Sequence, residues 1–355
     1  MSQNSTYRLG LLEGDGIGHE IVPAARQVVD AAVGHAVTWE PLPMGRQAIE
    51  DDGAPLPQHA LKALEALDGW MMGPHDSASY PEPHRSRLNP SGMVRKHFDL
   101  FANIRPARSF SGANGGSPRT DLVVVRENTQ GFYADRNTFQ GSGEWMPSPD
   151  VAIAQAVFTR PAIERIAVVA LNLARRRRKH LTIVHKANVL VTTTGMFRDI
   201  VHELAVDYPD VRLDDYHIDA MSAHLVLRAN EFDVIVTENM FGDILSDLAG
   251  AVAGSLGVAP SLNASHDAAM AQAAHGAAPD ISGQGIANPV AMILSAAMFL
   301  DWLGDHRDDA ELVRAATRID AAVTATLEAG TATPDLGGQA TTATFTEAVI
   351  ERLSS

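Results

Sequence analysis

Almost throughout the chain, short β-rich apolar runs alternate with segments whose apolar residues recur at helical spacing. Strand-like runs are Tyr7–Leu12, Gly69–Met72, Leu100–Ile104, Asp121–Val125, Leu181–His185, Val211–Ile218 and Val234–Thr237. Helical patterns cover His19–Ala32, Pro57–Leu67, Pro161–Arg177, Thr193–Ala205, Ile244–Ala253, Pro289–Leu303, Glu311–Glu328 and Thr346–Leu353. Alternation of this kind predicts an α/β class with a largely parallel sheet. A chain of 355 residues is long enough for two such domains. The breaker-rich stretch Ser109–Thr120 reads as a crossing between them, and Gly254–Ser265 as the return.

Composition narrows the function. The formal net charge of −15 argues against nucleic acid and anionic membrane as partners, though a local arginine cluster could still bind a small anion. Cysteine is absent, so neither a disulfide framework nor a thiolate metal site is available. The most apolar stretch, 286–303, is interrupted by Asn288, Pro289 and Asp301 and reads as a buried helix rather than a membrane span. The segment Met1–Arg8 is polar, without the apolar core of a secretory leader, and a cytoplasmic location is expected. The run Arg175–Lys179 ends a helical pattern, where cations suit the helix dipole.

Three groups of residues carry chemistry. Asp243 and Asp247 stand four apart, on one face of a helix. Two adjacent carboxylates repel unless a cation lies between them, and all-oxygen ligands suit Mg²⁺ or Mn²⁺; alone, the pair could equally cap a helix and face solvent. Arg105 and Arg126 end apolar runs and Arg95 lies in a helical pattern, positions from which guanidinium groups can grip carboxylates through paired hydrogen bonds. Lys186 is one of only four lysines and ends the apolar run 181–184, where desolvation can bring an ammonium to lose its proton. Gly14-Asp15-Gly16-Ile17-Gly18 follows a strand and precedes a helix, but the sixth position is His19, so the dinucleotide fingerprint fails.

The text around these residues resembles the β-decarboxylating dehydrogenase family, which includes isocitrate, isopropylmalate, tartrate and D-malate dehydrogenases. The resemblance is carried by Glu13–Glu20, Arg95–Pro106, Arg126–Tyr133, His185–Leu190, His217–Leu225, Asn239–Gly257 and His275–Pro289. It implies a two-domain, isopropylmalate dehydrogenase-like α/β fold and not a Rossmann fold. Residues 1–107 and 250–355 would form a discontinuous large cofactor-side domain; residues 108–249 would form a small domain with dimer contacts and metal ligands. By the same resemblance Asp219, Asp243 and Asp247 hold Mg²⁺ or Mn²⁺, and Arg95, Arg105, Arg126 and Ser91 bind substrate. Tyr133 and Lys186 move protons. His275, Gly276, Asp280, Asn288 and Asn188 face the cofactor. Asp219 and Lys186 would come from the neighbouring subunit of a homodimer with shared sites. Asp280 can accept hydrogen bonds from both ribose hydroxyls of NAD and would repel the 2′-phosphate of NADP, which favours NAD.

The implied function is NAD- and metal-dependent oxidative decarboxylation of a malate-type 2-hydroxy acid, a small di- or tricarboxylate. Alternatives are tartrate- or D-malate-type oxidation without obligatory decarboxylation, 3-isopropylmalate dehydrogenase, and a non-catalytic regulatory subunit. Ser91 and Gly92 fall where isopropylmalate enzymes carry two leucines. Losing those contacts forfeits roughly 1.5–3 kcal/mol each, which disfavours an isopropyl substituent. The insert 75–87 is longer and more polar than the family's usual glycine-rich link, and Thr331–Thr341 resembles tartrate and D-malate dehydrogenases.

Overall fold

A computed structural model describes residues 6–110, 120–133, 141 and 143–354. In chain order the elements are β1 (Tyr7–Leu12), α1 (Gly18–Val33), β2 (Val37–Pro41), α2 (Arg46–Asp52), α3 (Gln58–Leu64), β3 (Gly69–Met72), α4 (Pro90–His97), β4 (Ala102–Arg108) and β5 (Asp121–Glu127). There follow β6 (Glu144–Ser148), β7 (Val151–Ala154), α5 (Arg160–Arg176), β8 (His180–His185), α6 (Thr193–Ala205), β9 (Arg212–His217), α7 (Ile218–Arg228), β10 (Val234–Thr237) and α8 (Asn239–Ala253). The chain closes with β11 (Leu262–Ala264), β12 (Ala269–Ala271), α9 (Val290–Arg307), α10 (Ala310–Glu328) and α11 (Thr342–Leu353). No helix among the described residues is long and apolar enough to cross a membrane.

Contacts divide the chain into two units. The first takes the chain up to Val94 and again from Gly254 onward, together with Phe110; the second takes Arg95–Ser109 and the chain on to Ala253. Residues 95–107, expected in the first domain, thus go with the second, because β4 pairs antiparallel with β5 from Ala102↔Glu127 to Arg108↔Asp121. The second boundary moves from 249 to 253 because α8 continues to Ala253.

In the first unit β1 runs parallel to β2 and β3, β3 is parallel to β12, and β12 turns back antiparallel to β11. The core gathers α1, α9, α10 and α11 against these strands. Helix α9 is buried over most of its surface, as its near-continuous apolar sequence requires. It begins where Asn288 Oδ1 accepts the Val290 N–H at 3.0 Å.

The second unit is built on β5, β10, β8 and β9, parallel in that order. Side chains alternate across this sheet. Val123, Val125, Leu181, Ile183, Val234 and Val236 pack with α5 and α6 on one face. Leu122, Val124, Val184 and Ile235 pack with α7 and α8 on the other. The two-residue period of a strand covered on both faces explains why these runs are apolar throughout. The run 175–179 is structural: Arg177 bonds Asp233 at 2.7 Å and Asp121 at 2.8 Å, and Arg178 bonds Asp121 at 3.0 Å. Asp233, 2% exposed, also accepts the Arg178 N–H. The β6–β7 hairpin is exposed along its length, Trp145 and Met146 included.

Candidate active site

The candidate residues of the second unit cluster at the carboxyl ends of its parallel strands, where open α/β sheets present ligands. Arg126 is the penultimate residue of β5, and Lys186 follows β8. Asp219 lies in the first turn of α7, directly after β9, and α8 begins two residues past β10. The expected strand 211–218 stops at His217, and Asp219 is inside the helix rather than capping it.

Asp243 is the focus of the cluster. Arg126 donates to it through Nη1, Arg105 Nη1 stands 3.3 Å away, and the Tyr133 hydroxyl donates to its other oxygen at 3.1 Å. Asp247, one turn along α8, lies 3.6 Å from Arg105. Burial pushes the Asp243 carboxyl up, but Arg126, Arg105, the Tyr133 hydroxyl and, most weakly, Arg95 outweigh it and hold it below the usual range. Asp247 goes the other way: desolvation and the neighbouring Asp243 charge raise it against the pull of Arg105. Burial and the repulsion of Arg126 bring Arg105 down to about 10.

Second contacts fix the arginines. Arg126 is 2% exposed and donates twice to Asn239 Oδ1, at 3.0 and 2.7 Å. Arg105 donates to Ser246 Oγ at 2.7 Å. Helix α8 approaches Arg126 so closely that a Cβ at Gly242 would stand 2.6 Å from its Cγ; only glycine fits there. The start of α8 is held by Glu238, whose carboxylate accepts the Met240 and Phe241 N–H groups at 3.0 and 2.7 Å while burial raises it to about 7. Asn239, Ser246 and Glu238 were not singled out from sequence, although the first two lie in the segment Asn239–Gly257 and Glu238 directly precedes it.

Lys186 and Asp219 pair with each other, and Lys186 holds Asp219 below the usual carboxylate range. Among the described residues no three His, Asp or Glu side chains come together to hold a metal ion, so Asp219 does not join Asp243 and Asp247 within one chain. Asn188 is exposed in the turn after Lys186.

In the first unit a cavity of about 670 Å³ is lined by Ile17, His275, Gly276, Asn288 and Asp335, among others. His275 Nε2 is buried without a hydrogen-bond partner, and burial lowers this imidazole. Asp335 accepts from Ser255 Oγ at 2.8 Å and Asn288 Nδ2 at 3.0 Å. Sequence reading passed over Asp335; its signal was the tail Thr331–Thr341. Asp280 is exposed on the same loop as His275, outside the cavity lining, while Ile281 lines it. Ser91 is buried, and its hydroxyl donates to Gln272 Oε1 at 2.8 Å. At Gly92 a Cβ would come within 2.5 Å of Leu88 Cδ1, so a side chain there would require Leu88 to move.

Arginines thus converge on a helical carboxylate pair at the strand ends of an α/β unit. The family description isocitrate/isopropylmalate dehydrogenase matches residues 8–350, and the chain belongs to that family of dehydrogenases. It is 45% identical over 350 residues to an isocitrate/homoisocitrate dehydrogenase of Thermus thermophilus, covering 98% of this chain and 99% of the relative. It is 40% identical to a 3-isopropylmalate dehydrogenase of Archaeoglobus fulgidus, over 98% of this chain and 99% of that one. The crystal structure of an isocitrate dehydrogenase from Methylococcus capsulatus superposes with a TM-score of 0.88 at 40% identity, covering 99% of this chain and 100% of that one.

Proposed function

We propose that the protein is an NAD- and divalent-metal-dependent dehydrogenase that oxidises and decarboxylates a malate-type 2-hydroxy acid with a small or polar substituent. The observation that carries this reading is the convergence of Arg105, Arg126 and Tyr133 on Asp243, with Asp247 one turn away. Two carboxylates one helical turn apart, the second raised by burial and by its neighbour, suit a hard cation with oxygen ligands. A bound Mg²⁺ or Mn²⁺ would polarise the substrate's oxygens as a Lewis acid. Asp243 and Asp247 would hold it, with Asp219 of a second subunit as the third carboxylate.

Arg95, Arg105 and Arg126 would grip the substrate's carboxylates, Arg105 and Arg126 exchanging Asp243 for them. The same donors suit the negative charge that develops when carbon dioxide leaves. Lys186 would take the hydroxyl proton, and Tyr133 would return one to carbon. NAD would supply the hydride acceptor. His275, Gly276 and Asn288 line a cavity of suitable chemistry for it; the orphaned His275 Nε2 is a polar atom that a nucleotide could satisfy. Asp280 and Asn188 would contact it from the loops. Ser91 and Gly92, in place of two leucines, argue for a substituent other than isopropyl.

A site shared in this way would require a homodimer. Exposed apolar residues on the β6–β7 hairpin, beside Lys186 (Val189, Val191) and on α8 (Ile244) suit burial against a second copy. Co-expression of Lys186→Met chains with Asp243→Asn chains tests the sharing. Each mixed dimer would own one intact site, so two inactive variants together should recover about a quarter of wild-type activity. No recovery, with mixed dimers verified by mass, would show that each site is built from one chain.

A further inference from the structure

Beside Lys186, the ring of His185 is 1% exposed, and its two nitrogens have different partners. Nδ1 lies 3.0 Å from the backbone nitrogen of Ala187 and accepts its N–H. Nε2 lies 2.9 Å from Asp215 Oδ1. A nitrogen that accepts a backbone N–H carries no proton, so the proton sits on Nε2 and is donated to Asp215. We propose that His185 and Asp215 form a positioning pair for Lys186: a neutral imidazole locked in one tautomer that fixes the backbone turn carrying the lysine.

The turn has little freedom left once this pair is formed. The Lys186 N–H donates to Thr194 Oγ1 at 3.1 Å. Its carbonyl accepts from Val189 at 3.0 Å and from Leu190 at 2.8 Å. The next N–H, that of Ala187, goes to His185. Both peptide groups around the lysine are therefore pinned, and only its own side-chain torsions remain to aim Nζ, which meets Asp219. An apolar residue at 185 would fill the strand end but leave the buried Ala187 N–H without its partner.

Asp215 is held in turn. It lies on β9 in register with Ile183, and its other oxygen meets His202 Nε2 of α6 at 3.2 Å. The His217 ring packs edge-on against His185 at 5.3 Å, and Arg198 of α6 also acts on it. Burial, His217 and Arg198 together outweigh Asp215 and keep the imidazole below its usual range, consistent with the neutral form that the geometry requires.

This inference rests on the proton role given to Lys186 under Proposed function, and the experiment separates the two. The full-length protein is assayed with its best acid substrate, NAD and saturating Mn²⁺. Variants are His185→Asn, His185→Gln and Lys186→Met. Asparagine places an acceptor near the Nδ1 position and gives up Asp215; glutamine reaches Asp215 and gives up the Ala187 N–H. Misplacement of a reacting group by about an ångström costs on the order of 10²-fold. The expected result is a fall in kcat of about that size for His185→Gln with KM within about threefold, and recovery of about tenfold or more in His185→Asn. In the Lys186→Met background neither substitution should lower kcat further. A structural histidine anchored only through Asp215 would give the reverse order, with glutamine the better substitute. Equal kcat in both variants and wild type, with Lys186→Met severely impaired, would overturn the positioning role alone. A Lys186→Met variant close to wild type would overturn the proton role and this inference with it.

Discussion

Replacing Lys186 by methionine should lower kcat by about 10²–10⁴-fold, the usual contribution of a positioned general base. The reasoning starts from the side chain's surroundings. Lys186 is three-quarters buried after the apolar strand β8, and its Nζ faces one carboxylate, Asp219. Methionine keeps the length and the apolar stem but cannot accept or donate the proton. Asp219 is largely exposed and loses only its ion partner, so folding and Mn²⁺ affinity should change little. Steady-state kinetics with a calorimetric Mn²⁺ titration on the same preparation checks both halves. Turnover within a few-fold of wild type would remove the lysine from the chemistry, and loss of Mn²⁺ binding would reassign it to the metal site.

Asp243→Asn should be as damaging for a different reason. The carboxylate is shared by Arg126, Arg105 and Tyr133, and asparagine keeps its shape while removing its charge. Two effects then add. A metal site loses one of its anionic ligands, with several kcal/mol of transition-state charge stabilisation, on the order of 10³-fold in rate. Arg105, buried and already disfavoured by the Arg126 charge, loses the nearest group that compensates it. The variant should therefore need far more Mn²⁺ for any turnover and should also melt at a lower temperature. Asp247→Asn should show the same direction with a smaller loss of stability, since that side chain is exposed and its ion pair with Arg105 is 3.6 Å long. An Asp243→Asn enzyme with wild-type Mn²⁺ dependence would place the cation elsewhere.

Much of the scaffold around these residues was legible in the sequence because the buried strands of both units leave a strong local signal. The runs at 7–12, 69–72 and 234–237 are strands at their expected bounds, and Thr193–Ala205 is a helix at its expected bounds. Local patterns failed where tertiary contacts set the structure. Helix α8 begins at Asn239, five residues before its apolar period becomes visible, because Glu238 holds its first N–H groups and Gly242 lets Arg126 lie against it. The β6–β7 hairpin carries apolar residues on exposed positions and so lacks the alternation of a half-buried strand. β2, β11 and β12 are too short or too polar to stand out. In the site, the types and spacing of Asp243, Asp247, Arg105 and Arg126 were visible. Their convergence was not, since Arg126 and Asp243 are 117 residues apart and meet only when β5 and α8 pack. Asp335 escaped for the same reason: its bond to Asn288 spans 47 residues.

Counting both products of the reaction decides whether this chain is a decarboxylating dehydrogenase. The purified chain is supplied with NAD or NADP, with Mn²⁺ or a chelator, and with a panel of isocitrate, homoisocitrate, 3-isopropylmalate, D-malate and tartrate, while reduced cofactor and carbon dioxide are counted together. Turnover of at least one acid other than 3-isopropylmalate is expected, with NAD preferred, full dependence on the metal, and one carbon dioxide released for each NADH formed. Metal-independent reduction, preference for NADP, or NADH without carbon dioxide from every acid that reacts would overturn the proposed function.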